Sequence, residues 1–272
     1  MAVAQIHPTA LVEPGAKLGD NVVIGPFCHI SADAEIGNNC EIMSHVVIMG
    51  ATHLGEGAKV YPHAILGADP QNNKHKGGRT TLVIGKNCII REGVTMHRGS
   101  DNSLGTTIVG DDCQFLAYAH VAHDCVLGNH VTFSNNVMIG GHVVIGDHVI
   151  IGGGGAVHQF ARVGHHAFVG GLAALVGDLI PFGSAIGVHA HLGGLNIIGM
   201  KRSGLQRSEI HAMRHAVNML FDRTKPIRER AEDVRQEYPS SIAVADMLSF
   251  IENRGKRSFC TPKLDIEMSD SD

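Results

Sequence analysis

Apolar residues recur every six positions along most of this 272-residue chain. Ile6, Val12, Leu18, Ile24, Ile30, Ile36, Ile42, Ile48, Leu54, Val60 and Leu66 keep the beat without a miss, and Ile84, Ile90 and Met96 hold the same phase. From Val109 it resumes one residue out of phase and runs through Phe115, Val121, Leu127, Phe133, Ile139, Ile145, Ile151, Val157, Val163, Val169 and Leu175. Neither a helix nor a flat strand has this period. It predicts a parallel β-helix, in which short strands wind round a core and each coil rests on the one below. Thirty-four glycines, nineteen histidines, three tyrosines and no tryptophan suit a repetitive scaffold with tight corners. Cys28, Cys40, Cys88, Cys113 and Cys125 each follow a beat residue by four, where a coil interior wants a small side chain. They read as small hydrophobes, not disulfide partners, and Cys260 as a free thiol in the C-terminal tail.

The hexapeptide pattern resembles the left-handed, three-sided β-helix of the hexapeptide-repeat acyltransferases. In that family three hexapeptides make one turn, so residues 18 apart lie above one another, faces of the prism pair as trimers, and sites sit in clefts between subunits. On that map His123, Gly141 and Gln159 share one column. His142 and His158 lie one position to either side of it on the coils above, and His120 precedes His123 on its own coil. A lone histidine out of nineteen reads as structural; six positions registering in one patch read as a site. In the stretch AHVAHDC, Ala119 to Cys125, His123 carries Asp124 as its neighbour. An imidazole with a carboxylate to orient it is the minimum kit for deprotonating a hydroxyl. Gly141 has no side chain to obstruct its N–H as an oxyanion donor.

Two polar excursions interrupt the beat, Gly67 to Thr80 with Lys74, His75 and Lys76, and His97 to Thr107. Loops leave a solenoid at its corners and often carry binding residues. From Ser208, read as a helix N-cap, helical spacing takes over. Ile210, Met213, Val217 and Leu220 predict one helix, Pro226 opens a second with Ile227, Ala231 and Val234, and Ile242, Ala245, Leu248 and Ile251 predict a third. The expected organisation is a β-helix over 1–190, a helical domain over 191–255 and a disordered, finally acidic tail over 256–272. Between Asn196 and Arg257 twelve Lys and Arg stand against eight Asp and Glu, a local balance of +4 in a chain of net charge −4. Such asymmetry steers an acidic partner, or else marks only a solvated bundle. No apolar run approaches the roughly 18 residues of a membrane span, and no basic-then-apolar leader opens the chain. A cytoplasmic protein with no integral membrane segment and no nucleic-acid partner is expected.

The loop PQNNKHKGG, the run MHRG, AHVAHDC, GGHVVIGD, AVHQF, FVGG and NIIGMKRSG together resemble the cytoplasmic UDP-N-acetylglucosamine O-acyltransferases that begin lipid A synthesis in Gram-negative bacteria. The likeness covers the chain up to its tail. It implies transfer of an (R)-3-hydroxyacyl group from acyl carrier protein to the glucosamine 3-hydroxyl of UDP-N-acetylglucosamine. The expected mechanism is direct transfer, with no cofactor, no metal and no acyl-enzyme. His123 matches that family's general base, Asp124 its partner and Gly141 its oxyanion donor. His120, His142, His158 and Gln159 match residues lining the donor and sugar sites, and Asn72 and Lys74 lie in the matching loop. Asn196 and Arg202 match nucleotide or donor contacts. Gly171 matches the position bounding the acyl groove, where glycine implies a chain of twelve carbons or more. Asn72 stands where the family often has aspartate, Ile198 where an acidic residue often contacts ribose, and Ser203 where a second arginine often follows. These departures leave a 3-hydroxyl and a 3-amino acceptor both open. The related N-acyltransferase carries a domain before its solenoid, whereas here the beat starts at residue 6. A zinc-dependent carbonic anhydrase on the same prism would leave the lysine loop and basic helices idle. A non-catalytic solenoid would use its histidines only as corner filling.

Overall fold

Each beat residue closes a short strand, and successive strands fall on three different sheets, of 11, 9 and 8 strands. Ile24 pairs with Ile6 and Ile42, Ile30 with Val12 and Ile48, and Ile36 with Leu18 and Leu54, all in parallel. Every one of these partners is 18 residues away, so three hexapeptides make a coil of a parallel β-helix, and the helix is left-handed. This computed structural model describes residues 3–222 and 225–263. The beat side chains from Ile24 onward point inward and are buried, layered with the five cysteines and with alanines and valines. All six cysteines are free and buried, and burial pushes the Cys125 thiol up to about 12.

The register explains the phase of the beat. Across the first excursion Val60 pairs with Ile90, a step of 30, and across the second Ile90 pairs with Phe115, a step of 25. The first loop thus inserts two whole hexapeptides and leaves the phase intact. The second inserts seven residues and shifts it by one. Corners are turned by residues in the left-handed region, among them Asn39, Asp124, His130, His142, His148 and His166, with φ between 55° and 62°. Asn, Asp and His tolerate that conformation better than most L residues. Six of the nineteen histidines (45, 63, 130, 142, 148 and 166) sit at such corners, which accounts for much of their abundance. Stacked coils put His130, His148 and His166 face to face, with ring centroids 4.6 and 4.5 Å apart.

The solenoid ends in a strand pair. Gly183–Ile186 continues the parallel sheet, and His191–Leu195 folds back antiparallel on it. Residues 191–195 therefore belong to the sheet, not to the helical part. A short helix not expected from the spacing, α1 (Ile197–Arg202), precedes α2 (Arg207–Phe221), α3 (Ile227–Glu237) and α4 (Ile242–Glu252). Two local readings need correction. The N-cap of α2 is Gln206, leaving Ser208 inside the first turn. In α4 the buried face is Ala243, Val244, Met247, Leu248 and Ile251, while Ile242 is 81% exposed. The Ser241 side chain accepts from the Val244 N–H and donates to Glu209, and this cap sets the helix phase where the apolar pattern was ambiguous.

The largest departure is the tail. Residues 256–263, expected to be disordered, pack on the end of the solenoid. Asp178 N–H donates to the Ser258 carbonyl and Cys260 N–H to the Asp178 carbonyl, both at 2.8 Å, and Cys260 is buried. A charged segment reads as tail from composition, but here its backbone finds a free sheet edge. The rest of that expectation, 264–272, lies outside the described residues. Among those described, no helix is long and apolar enough to cross a membrane.

Phe133 is fully buried and packs edge-on to Phe115 at 5.2 Å. Phe133→Ala should lower unfolding free energy in a denaturant titration by about 3–5 kcal/mol. Ile242→Ala, at an exposed position, should change it by less than about 0.5 kcal/mol.

Candidate active site

The strand His120–Val121 runs into a corner at Ala122 to Cys125. There Asp124 takes a left-handed conformation, φ 59°, and its carboxylate meets the ring of its own neighbour, His123 Nδ1 to Asp124 Oδ2 at 2.7 Å. Asp124 is almost wholly buried. The second excursion holds it: the Ser100 N–H donates to Oδ1 at 3.0 Å, the Gly105 N–H to the same oxygen at 3.1 Å, and the Ser100 hydroxyl to Oδ2. The Asp124 N–H donates to Thr107 Oγ1 at 2.9 Å. Burial alone would raise the Asp124 carboxyl, but the hydrogen bonds from Ser100 and His123, with His142 nearby, hold it below the usual carboxylate range. A carboxylate so fixed accepts the Nδ1 proton of His123 and leaves Nε2 as the lone-pair nitrogen.

One coil up, Gly141 lies against the imidazole. A Cβ there would come within 2.7 Å of His123 Cε1 and 2.8 Å of Nε2, so any other residue would displace the ring. Among the described residues the Gly141 N–H has no acceptor, whereas its neighbours Gly140 and His142 donate to Val157 and His123 carbonyls. The His142 ring stands edge-on to His123 at 5.1 Å and stacks on Phe160 at 4.4 Å. Ser103 Oγ lies 3.2 Å from its Nδ1. Burial pushes the His142 imidazole below its ordinary value despite the Asp124 carboxylate. His123, Asp124 and His142 offer donor atoms within 4.8 Å of one another, a spacing a small cation would fit. Asp124 Oδ2 is already shared between His123 and the Ser100 hydroxyl.

The stacking map thus brings His123, Asp124, Gly141 and His142 into contact. His120 sits next along the wall, its Nδ1 2.8 Å from Thr95 Oγ1 and its ring 5.1 Å from His97. Burial, with the neighbouring imidazoles of His97 and His123, pushes His120 down to about 4. His158 and Gln159 are exposed on the coil above and are engaged by Arg257: its guanidinium lies 2.8 Å from His158 Nδ1 and donates to the Gln159 carbonyl at 2.9 Å. Asn72 turns its own loop, accepting from the Lys74 N–H at 3.0 Å, and Lys74 is exposed. That loop is tied to the second excursion through Asp101, which accepts from the N–H groups of Lys76 and Gly78.

Three expected site residues lie away from the base. Asn196 caps α1, accepting from the Gly199 N–H at 2.9 Å, and donates to the His166 carbonyl at 2.8 Å. With Arg202, Ile198 and Ser203 it lines a cleft of about 710 Å³ against His130, His148 and His166. This cleft belongs to the histidine-stacked corner, not the corner of His123. Gly171 is exposed at the third corner, where a Cβ would meet only the backbone of Gly153, its carbonyl oxygen at 3.3 Å. Sequence reasoning missed Ser100, Gly105 and Thr107, which hold Asp124, and His97, whose buried Nδ1 has no partner. Nothing in a polar loop singled out Ser100 from Ser103; only closure onto Asp124 does.

His120 releases its proton more readily folded than unfolded, so its contribution to stability is present above about 6.5 and is lost as pH falls towards 4. Between pH 7.5 and pH 5.5, His120→Gln should lose about 1 kcal/mol less stability than the parent in urea titrations.

Residues 178–260 match the family model described as UDP-N-acetylglucosamine O-acyltransferase, domain 2, and residues 33–68 and 106–141 match the bacterial transferase hexapeptide model. The acyl-[acyl-carrier-protein]–UDP-N-acetylglucosamine O-acyltransferase of Brucella ovis is 73% identical over 96% of this chain and 94% of its own. The protein of the same name from Bartonella henselae is 69% identical over 97% of both. The solved UDP-N-acetylglucosamine acyltransferase from Campylobacter jejuni, 37% identical, superposes with a TM-score of 0.88 over 95% of this chain and 100% of that one. A hexapeptide solenoid with this histidine corner and these relatives places the chain in the UDP-N-acetylglucosamine O-acyltransferase family.

Proposed function

We propose that this chain transfers an (R)-3-hydroxyacyl group from acyl carrier protein to the 3-position of UDP-N-acetylglucosamine, the first step of lipid A biosynthesis. The observation that carries the reading is His123, oriented by a buried Asp124 and lying against Gly141, whose N–H has no acceptor among the described residues. His123 Nε2 takes the proton of the sugar hydroxyl as its oxygen attacks the thioester carbonyl carbon. The Gly141 N–H donates to the oxyanion of the tetrahedral intermediate. Collapse breaks the carbon–sulfur bond, and the leaving thiolate recovers the proton from the imidazolium. Every proton is accounted for by His123 and the two substrates, so the reading invokes no cofactor, no metal and no acyl-enzyme.

The protein acts as a cytoplasmic homotrimer in this reading. Support comes from the separation within one chain: the Asn196 and Arg202 cleft and Gly171 occupy corners other than that of His123. Pairing faces of neighbouring copies would bring one corner to another. Asn196 and Arg202 then contact the nucleotide sugar, Lys74 and Asn72 the phosphates of either substrate, and His120, His142, His158 and Gln159 the groove between. The +4 balance of residues 196–257 complements an acidic carrier protein.

Purified protein incubated with UDP-N-acetylglucosamine and a panel of carrier-bound 3-hydroxyacyl thioesters should give a monoacylated sugar nucleotide, identified by mass, with donors of twelve carbons or more preferred. Turnover only with the 3-amino sugar would reassign the acceptor, and a burst of acylated protein would exclude direct transfer. His123→Ala should cost about 10²–10⁴ in turnover while keeping the circular dichroism of the parent. Gly171→Met should move preference to shorter donors; an unchanged chain-length profile would remove Gly171 from the groove.

A further inference from the structure

The segment that follows α4 is a strap pinned to the solenoid by a buried ion pair. Arg162 Nε meets Asp178 Oδ2 at 2.7 Å, and the same guanidinium donates to the Phe250 carbonyl at 3.2 Å and to the Asn253 carbonyl while lying 4.3 Å over the Phe250 ring. Gly255 passes so close that a Cβ would come within 2.6 Å of Arg162 Nε and 2.7 Å of Asp178 Oδ2. The next two residues are cations delivered to the wall beside the base. Lys256 Nζ sits 4.4 Å from the centroid of Phe160, the ring stacked on His142. Arg257 spends two donors on the Gln159 carbonyl and His158 Nδ1, neither of them a carboxylate. Among the described residues neither cation pairs with a carboxylate, whereas Asp178 beside Gly255, and Asp246 and Glu252 on α4, are held by Arg162, His165 and Arg235.

Fixed, unneutralised cations on a polar wall suit an anion, and a guanidinium beside an ammonium suits a phosphate above all. We propose that Lys256 and Arg257, with His158, form a subsite for the phosphodiester in the phosphopantetheine arm of the acyl donor. The assignment rests on the transferase reading above and sets apart a site for the donor's phosphodiester alone, where that reading left Lys74 and Asn72 to the phosphates of either substrate. Its topology selects the donor. The phosphodiester joins the carrier to the arm, so it must lie between the surface that docks the carrier and the base that meets the thioester. The strap runs from the end of α4 in the basic helical part to the His142 corner, along that path. The nucleotide's candidate cleft, with Asn196 and Arg202, is at a different corner.

The full chain would be assayed with 3-hydroxyacyl-phosphopantetheine and with the same thioester of pantetheine, which lacks the phosphate, and phosphopantetheine and pantetheine themselves would be titrated by calorimetry. The subsite requires the parent to favour the phosphorylated donor. It also requires the double variant Lys256→Ala, Arg257→Ala to raise KM for that donor about tenfold or more, with KM for the pantetheine thioester and for the UDP-sugar unchanged and Arg257→Lys partly restoring binding. Equal losses on both thioesters would reduce the strap to a structural brace, and a raised KM for the UDP-sugar would assign the cations to the nucleotide; either overturns the subsite. Acylation of the sugar by a parent indifferent to the phosphate would sink the subsite and leave the transferase reading intact. No acylation by any donor, with phosphopantetheine still bound more tightly than pantetheine and only by the parent, would sink the transferase reading and leave the phosphate site.

Discussion

The ladder of backbone hydrogen bonds between coils is the constraint from which everything else follows. Each strand donates to the carbonyls of the strand 18 residues on, or 30 or 25 where a loop intervenes, and the axial separation is that of neighbouring strands, about 4.8 Å. Side chains in one column are therefore held at contact distance whether or not they attract one another. Phe115 lies on Phe133, His130 on His148, and Gly141 on His123 for the same reason. A loop of any length is tolerated at a corner provided the ladder resumes, and the number of residues it adds to the coil, modulo six, appears as a phase shift in the beat beyond it.

At the corner of His123 the ladder and a loop divide the work. The ladder sets the glycine against the imidazole; the loop His97 to Thr107 supplies the donors that make a buried carboxylate tolerable. An isolated ionised Asp at that depth would be expelled or protonated. Three donors from Ser100 and Gly105, with His123 itself, satisfy it and fix the ring they share. The interruption that looks like a flaw in the repeat is thus what allows an imidazole–carboxylate dyad against a solenoid core that is mostly apolar. On the neighbouring wall, by contrast, burial, with repulsion from His123, pushes the imidazoles of His97, His120 and His142 below their ordinary value.

Much of this was legible in the primary structure because a solenoid converts sequence distance into spatial distance by a fixed rule. The beat identified the core residues, the cysteine positions identified small buried side chains, and adding 18 to His123 located Gly141. The rule stops where the ladder stops. Helix faces depend on caps, and Ser241 with Glu209 set α4 about a different stripe from the one its apolar residues suggested. Composition marked residues 256–263 as tail, yet the free edge beside Asp178 recruited them, and with them Lys256 and Arg257. Arg162 and Asp178 are 16 residues apart, close to one coil, but nothing in their spacing points to the carbonyls of Phe250 and Asn253.

The order of residues by itself determined which side chains fill the prism and, once likeness to a three-hexapeptide coil supplied the step of 18, the meeting of His123, Asp124, Gly141 and His142, because the ladder keeps that step wherever no loop intervenes. Tertiary structure alone decided what surrounds them: the Ser100 clasp on Asp124, the strap over His142 and Phe160, and the removal of Asn196, Arg202 and Gly171 to other corners. Those contacts join segments that share no period, and their geometry depends on side-chain packing and charge compensation between parts of the chain far apart in sequence.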